Sequence, residues 1–137
     1  MWFVVRRLFI LIAVLAGGHS AALAVDTPRE NCARIADAVA QNELAEIPNI
    51  LRQASKGALN VDAGAFRTLQ PIVETGPVKV NDFLIEKDYN GTLLKTWRLL
   101  YFDWQSLYLR CTYVKVDGDW VLIHVGTETD EEKIDLP

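Results

Sequence analysis

The chain has 137 residues, enough for one domain and too few for two. It carries 14 lysines and arginines against 18 aspartates and glutamates, a formal net charge of −4. That balance shows no basic footprint for nucleic acid and no Lys/Arg cluster for an anionic lipid surface, so neither partner is expected.

In chain order the first element is not globular. "MWFVVRR" places Arg6 and Arg7 ahead of the apolar run "LFILIAVLAGG", and "SAALA" then supplies small residues at Ala22 and Ala24. A basic start, an apolar centre and a small-residue site form the pattern of a secretory signal peptide over residues 1–24, cleaved after Ala24. The run is shorter than the roughly 20 residues of a membrane span; kept in place, it would be an N-terminal anchor. No cysteine follows it, which argues against a lipoprotein. Cleavage removes two arginines and no acid, leaving 12 basic against 18 acidic residues in the mature chain, 25–137. The expected location is periplasmic or secreted, with no membrane contact once the signal is gone.

The mature part changes character near Gly76-Pro77. In "TPRE", Thr27 can cap a helix, Pro28 suits its first position and Glu30 can complete a capping box. Cys32, Ile35, Ala36, Val39 and Ala40 then recur at helical spacing. Asn42 allows a break, after which Leu44, Ile47, Leu51 and Ala54 continue an apolar face as far as Gly57. Pro48 inside this segment should kink it or delay its start. A third helix is predicted from Asp62, presenting Phe66, Leu69, Ile72 and Val73, with Pro71 as a complication.

Beyond Val78 the residues alternate. "VKVNDFLIEKDY" meets Asn90-Gly91, a strong hairpin signal. "TLLKTWRLLYF" returns to a turn around Asp103-Trp104-Gln105. "LYLRCTYVKV" meets Asp117-Gly118, and "WVLIHVGT" closes the pattern. Helices first and a four-stranded antiparallel meander second predict an α+β fold, with N-terminal helices packed on one face of a curved sheet. The acidic end "ETDEEKIDLP" reads as a solvated tail.

If Asp117 and Gly118 are the turn, residues whose numbers sum to 235 face each other. Lys115 then opposes Trp120, Tyr113 opposes Leu122 and Cys111 opposes His124, on a face shared with Leu107 and Leu109 and assigned to the helices. The other face pairs Val114 with Val121, Thr112 with Ile123 and Arg110 with Val125. Val114, Val121, Ile123 and Val125 are too apolar to leave in water. A homodimer through that face would cover them; so would a C-terminal tail folded back.

Two stretches carry a family resemblance. "IADAVAQNELAEIPNIL" (35–51) and "LYLRCTYVKVDGDWVLIHVGTETD" (107–130) resemble the bent helix and the paired final strands of exported members of the nuclear transport factor 2-like superfamily. That resemblance implies a cystatin-like cone with a cavity between helix and sheet, frequent dimers, and roles from enzyme through carrier to scaffold. Its isomerase-like and polyketide-cyclase-like members use an acid/base residue deep in the cavity, and no residue here maps onto one.

The chemistry-bearing residues are few. His124 is the one histidine of the mature chain and the sole candidate catalytic base, yet no orienting carboxylate stands at a fixed spacing from it. Cys111 beside it would suggest a nucleophile and base, without a surrounding motif. In an exported chain Cys32 and Cys111 could equally form a disulfide, if their Cα atoms come within about 7 Å, or stay free and buried. No histidine, cysteine and acid spacing suits a metal, and no glycine-rich loop suits a phosphate cofactor, so none is expected. Trp97, Tyr113 and His124 are the expected lining of a cavity. The sequence therefore predicts an exported, non-catalytic binding or assembly domain that holds a small apolar ligand. An isomerase- or cyclase-like enzyme using His124 is the alternative, and a structural envelope protein without ligand the third reading.

Overall fold

The computed structural model describes residues 26–134. The expected signal peptide and the last three residues lie outside this range. Within it, three helices pack on a four-stranded antiparallel sheet that is not closed, an α+β architecture. No helix among the described residues is long and apolar enough to cross a membrane.

Helix α1 (Pro28–Ala40) begins as its sequence requires. Glu30 N–H donates to Thr27 Oγ1 at 3.2 Å, and Thr27 N–H donates to Glu30 Oε2 at 2.8 Å, a reciprocal capping box. Cys32, Ile35, Ala36 and Val39 have no exposed surface, so the whole apolar stripe is spent on the sheet. Helix α2 (Ile47–Ala54) follows a short 3-10 turn at Leu44–Glu46. Pro48 sits in its first turn, where the missing N–H is harmless, so the proline starts the helix and does not kink it. The predicted third helix is mostly a 3-10 segment, Ala63–Leu69, that ends in the short α3 (Gln70–Val73) with Pro71 in its first turn.

The strands are β1 (Val80–Tyr89), β2 (Leu93–Phe102), β3 (Gln105–Val116) and β4 (Asp119–Glu128), in sequential order. The β3–β4 turn is the expected two-residue Asp117-Gly118 connection. Asp117 at φ 49° and Gly118 at φ 86° have the left-handed backbone that such turns need. The β1–β2 connection takes Thr92 as a third loop residue after Asn90 and Gly91, since Tyr89 pairs with Leu93.

Two register shifts decide which side chains share a face. On β1, Phe83 pairs with Arg98 and Ile85 with Trp97, which leaves Leu84 as an extra residue. On β4, Tyr113 pairs with Leu122 as the turn predicts, but Thr112 pairs with His124 and Cys111 with Val125. Ile123 is the inserted residue. The expected pairing of Cys111 with His124 is therefore corrected: beyond Leu122 every β4 side chain is displaced by one position and changes face.

The helix-side face carries Leu94, Thr96, Leu100, Phe102, Leu107, Leu109, Cys111, Tyr113 and Leu122, all buried. Burial of each large aliphatic or aromatic side chain contributes roughly 1.5–3 kcal/mol. Arg98 is also buried there; its Nη2 donates to Asn81 Oδ1 at 3.1 Å, and Asn81 Nδ2 donates to Asp37 Oδ1 at 2.7 Å. This relay satisfies one end of the guanidinium and links it to a solvated carboxylate on α1, which offsets part of the cost of burying it, while Arg98 Nε has no partner.

Two links fasten α1 to β3. Cys32 and Cys111 are joined in a disulfide with Cα atoms 6.0 Å apart, and both are fully buried. Tyr113 Oη donates to the Pro28 carbonyl at 2.9 Å. Burial pushes the Tyr113 phenol well above its usual range, with the charge of Glu86 adding to the effect.

The bridge spans 79 positions, for which the chain-entropy relation gives about 4.5 kcal/mol. The Cys32→Ala/Cys111→Ala double variant should lose about 4 kcal/mol in a denaturant titration at neutral pH. A loss below about 1 kcal/mol would mean that the helix is held by packing alone. Tyr113 makes a second prediction. Its phenol is neutral in both states below about pH 10; above that the unfolded phenol ionises while the folded one stays protonated, so stability falls as pH rises. Tyr113→Phe should cost about 1 kcal/mol at neutral pH and flatten the alkaline decline, measured as the pH dependence of the denaturation midpoint between pH 9 and 11.

Candidate functional site

Trp97, Tyr113 and His124, the expected lining of one cavity, are not brought together. Tyr113 points to the helix side, whereas Trp97 pairs with Arg110 on the face that carries no helix. Each of the three borders a different hollow. Tyr113 lines a space of about 220 Å³ between the start of α1, the end of α2 and the β3–β4 hairpin, with Trp120, Asn31 and Arg34 around it. Lys56 closes that end through an ion pair with Asp119 at 2.7 Å, which holds the Asp119 carboxyl below its ordinary value.

His124 is exposed and stands opposite Thr112, on the other side of the sheet from Cys111. Gly126 gives its ring room: a Cβ there would lie 3.0 Å from His124 Cε1. Among the described residues, no ion pair orients the imidazole. Cys111 has no thiol to offer, since both cysteines are bonded to each other. The nucleophile-and-base pair is thus dismantled twice, by the register shift and by the disulfide. Among the described residues no three histidine, cysteine or acidic side chains gather as a metal site.

The most apolar hollow lies between the helical half and the far part of β4. It measures about 340 Å³ and is lined by Leu51, Leu59, Val61, Phe66, Ile123 and Val125, with Thr68, His124 and Thr127 as polar neighbours. Two features make it. The chain after α2 does not continue as a regular helix; Ser55 Oγ accepts from Leu59 N–H at 2.9 Å, and Asp62 caps the following 3-10 segment through Gly64 N–H at 3.1 Å. That irregular stretch leaves a gap over β4. The inserted Ile123 then shifts Val125 to the helix side, where it packs against the core. Ile123 remains 41% exposed at the hollow's edge.

The expected dimer face is therefore divided. Val114 and Val121 still oppose each other on the uncovered side, with Val121 buried. Ile123 and Val125 border the groove instead. The C-terminal segment is not free in solvent over the described range: a 3-10 turn at Glu131–Lys133, capped by Asp130, brings Lys133 and Ile134 beside Trp97 on the uncovered face. Trp97 is 1% exposed although no helix covers it.

Leu59, Val61 and Phe66 belong to the groove because of the loop that carries them; only Phe66 had a recognisable place on a predicted apolar face. The sequence places Arg110 on the uncovered face opposite Val125, but its position beside Gly126 follows only from the shifted register of β4. No protein-family model matches this chain, and no curated protein or solved structure matches it either.

Proposed function

We propose that the chain is an exported, non-catalytic binding domain of the nuclear transport factor 2-like type, which receives a small apolar ligand in the groove between α2, residues 58–69 and β4. The observation that carries this reading is the groove itself: eight apolar side chains from both halves of the domain, with Ile123 left 41% exposed among them. Covering such surface is favourable by about 25 cal/mol per Å². The flanking Thr68 and Thr127 can orient a ligand's polar end. Export is supported by the signal-peptide pattern and by a buried disulfide, a bond that persists in oxidising compartments. The family reading is supported by the two resembling stretches and by a helix laid on an antiparallel sheet.

Homodimerisation belongs to the same proposal. After the register shift the uncovered face keeps an apolar row of Tyr89, Leu93, Val114 and Val121 across all four strands, next to Val116 at 46% exposure. A second copy of the chain placed there would remove Val116 and the partly exposed Tyr89, Leu93 and Val114 from water.

Titration of the mature protein with Nile red should give saturable fluorescence enhancement. Ile123→Lys should weaken it at least tenfold without lowering the denaturation midpoint appreciably. Enhancement that does not saturate, or that the variant leaves unchanged, overturns the groove as a binding site. In sedimentation equilibrium the mature protein should dimerise in the micromolar range and Val116→Asp should shift it to monomer. A monomer at all such concentrations removes the dimer and leaves the groove standing.

A further inference from the structure

The uncovered sheet face concentrates cations that are scattered along the sequence. In register, Lys87 stands opposite Lys95, Lys95 opposite Thr112 and Thr112 opposite His124, a row that crosses all four strands. The adjacent row is Ile85, Trp97, Arg110 and Gly126. Like charges directly opposite destabilise a strand pair. Here the Tyr89 ring offsets part of that cost, with Lys87 Nζ 5.0 Å and Lys95 Nζ 5.4 Å from its centroid. Among the described residues, none of Lys87, Lys95, Arg110 and His124 forms an ion pair, in a chain with an excess of acids.

Arg110 is the sharpest case. Its Nε is buried with no hydrogen-bond partner, an arrangement that native proteins normally avoid. Its Nη2 and His124 Cε1 gather over Gly126, 3.6 Å and 3.0 Å from where a Cβ would stand. A Cβ at 126 would press on the His124 ring and touch the Arg110 head at ordinary contact distance. Between Arg110 and the C-terminal segment lies a hollow of about 100 Å³, floored by Trp97 and bordered by Lys133 and Ile134. Glu128 also borders it, but Glu128 Oε1 accepts from Thr129 N–H at 3.0 Å and Asp130 N–H at 3.2 Å, so this carboxylate is engaged in holding the tail.

We infer that this hollow binds the oxyanion head, carboxylate or phosphate, of a small soluble molecule, with Arg110 as principal donor. A guanidinium fork suits a planar carboxylate or two phosphate oxygens. Lys133 borders the hollow as a second cation and Trp97 gives it an apolar floor, while Lys95 and His124 stand in the neighbouring row of the same face. The volume admits the anionic head alone. The site is on the face opposite the apolar groove, so its failure leaves the groove reading untouched.

The test is calorimetric titration of the mature protein with sodium phosphate and, separately, sodium acetate. Saturable one-to-one binding of either is expected, and whichever binds more tightly identifies the head group. Arg110→Gln should weaken it at least tenfold, while Lys79→Gln, whose cation pairs with Asp103 elsewhere, should leave it unchanged. Should Arg110→Gln fail to fold by circular dichroism, Lys133→Gln replaces it, with an expected loss of about threefold or more. Heats that never saturate, or equal binding by the Arg110 or Lys133 variant and the Lys79 variant, overturn the assignment.

Discussion

One inserted residue in β4 governs what each side of this sheet presents. Side chains alternate along a strand with a period of two, so a single extra position exchanges the faces of everything beyond it. Up to Leu122 the strand follows the register set by the Asp117-Gly118 turn; Ile123 then interrupts it. Val125 joins the core, and His124 and Gly126 pass to the uncovered side. An edge strand tolerates this more readily than an inner one, because only one neighbour must adjust. The same insertion makes an edge less suitable for pairing with another chain, a common protection for exposed strands. Leu84 on the other edge strand, β1, has the same effect.

Against that altered strand the helical half is fastened unevenly. At the β3 side, α1 is tied by the disulfide and by the Tyr113 hydrogen bond to Pro28. At the β4 side, α2 has only 8 residues and the chain after it runs as turns and 3-10 structure. Short irregular segments make fewer cooperative hydrogen bonds and pack less continuously than a long helix. The apolar groove lies on this loosely built side, beside residues 58–69. The domain is thus rigid where helix meets central strands and open where it meets the edge.

The sequence was most informative where local chemistry decides the outcome. Thr27, Pro28 and Glu30 specify a helix start through contacts within four residues, and Asp117-Gly118 specifies a turn through backbone angles alone. The α+β division near Gly76 followed from the change of hydrophobic period. Pro48 was legible as either a kink or a delayed helix start, and the choice between them depends on where the preceding 3-10 turn ends. The insertion at Ile123 leaves no compositional mark: "WVLIHVGT" alternates equally well without it, and packing against α2 and the core decides between registers. Everything that depends on that register was accordingly misplaced, including the partner of Cys111, the setting of His124 and half of the proposed dimer face. The cation row could not be read at all, since Lys87, Lys95, Arg110 and His124 become neighbours only after three strand pairings and two insertions are known.

The distribution of polar groups bears on why this domain reads as a binder. Catalysis by a protonatable side chain needs converging polar groups in a space from which water can be excluded, so that their fields act on the reacting atoms. Here the two requirements are met on opposite sides of the sheet. The groove that could exclude water is lined mainly by aliphatic and aromatic side chains, and its polar neighbours include no carboxylate. The cationic groups lie on the uncovered face, around a hollow too small to enclose a substrate. Cys111 is consumed in the bond that anchors α1. The proposed binding reading rests on this separation, with apolar shelter on one side of the sheet and charge on the other.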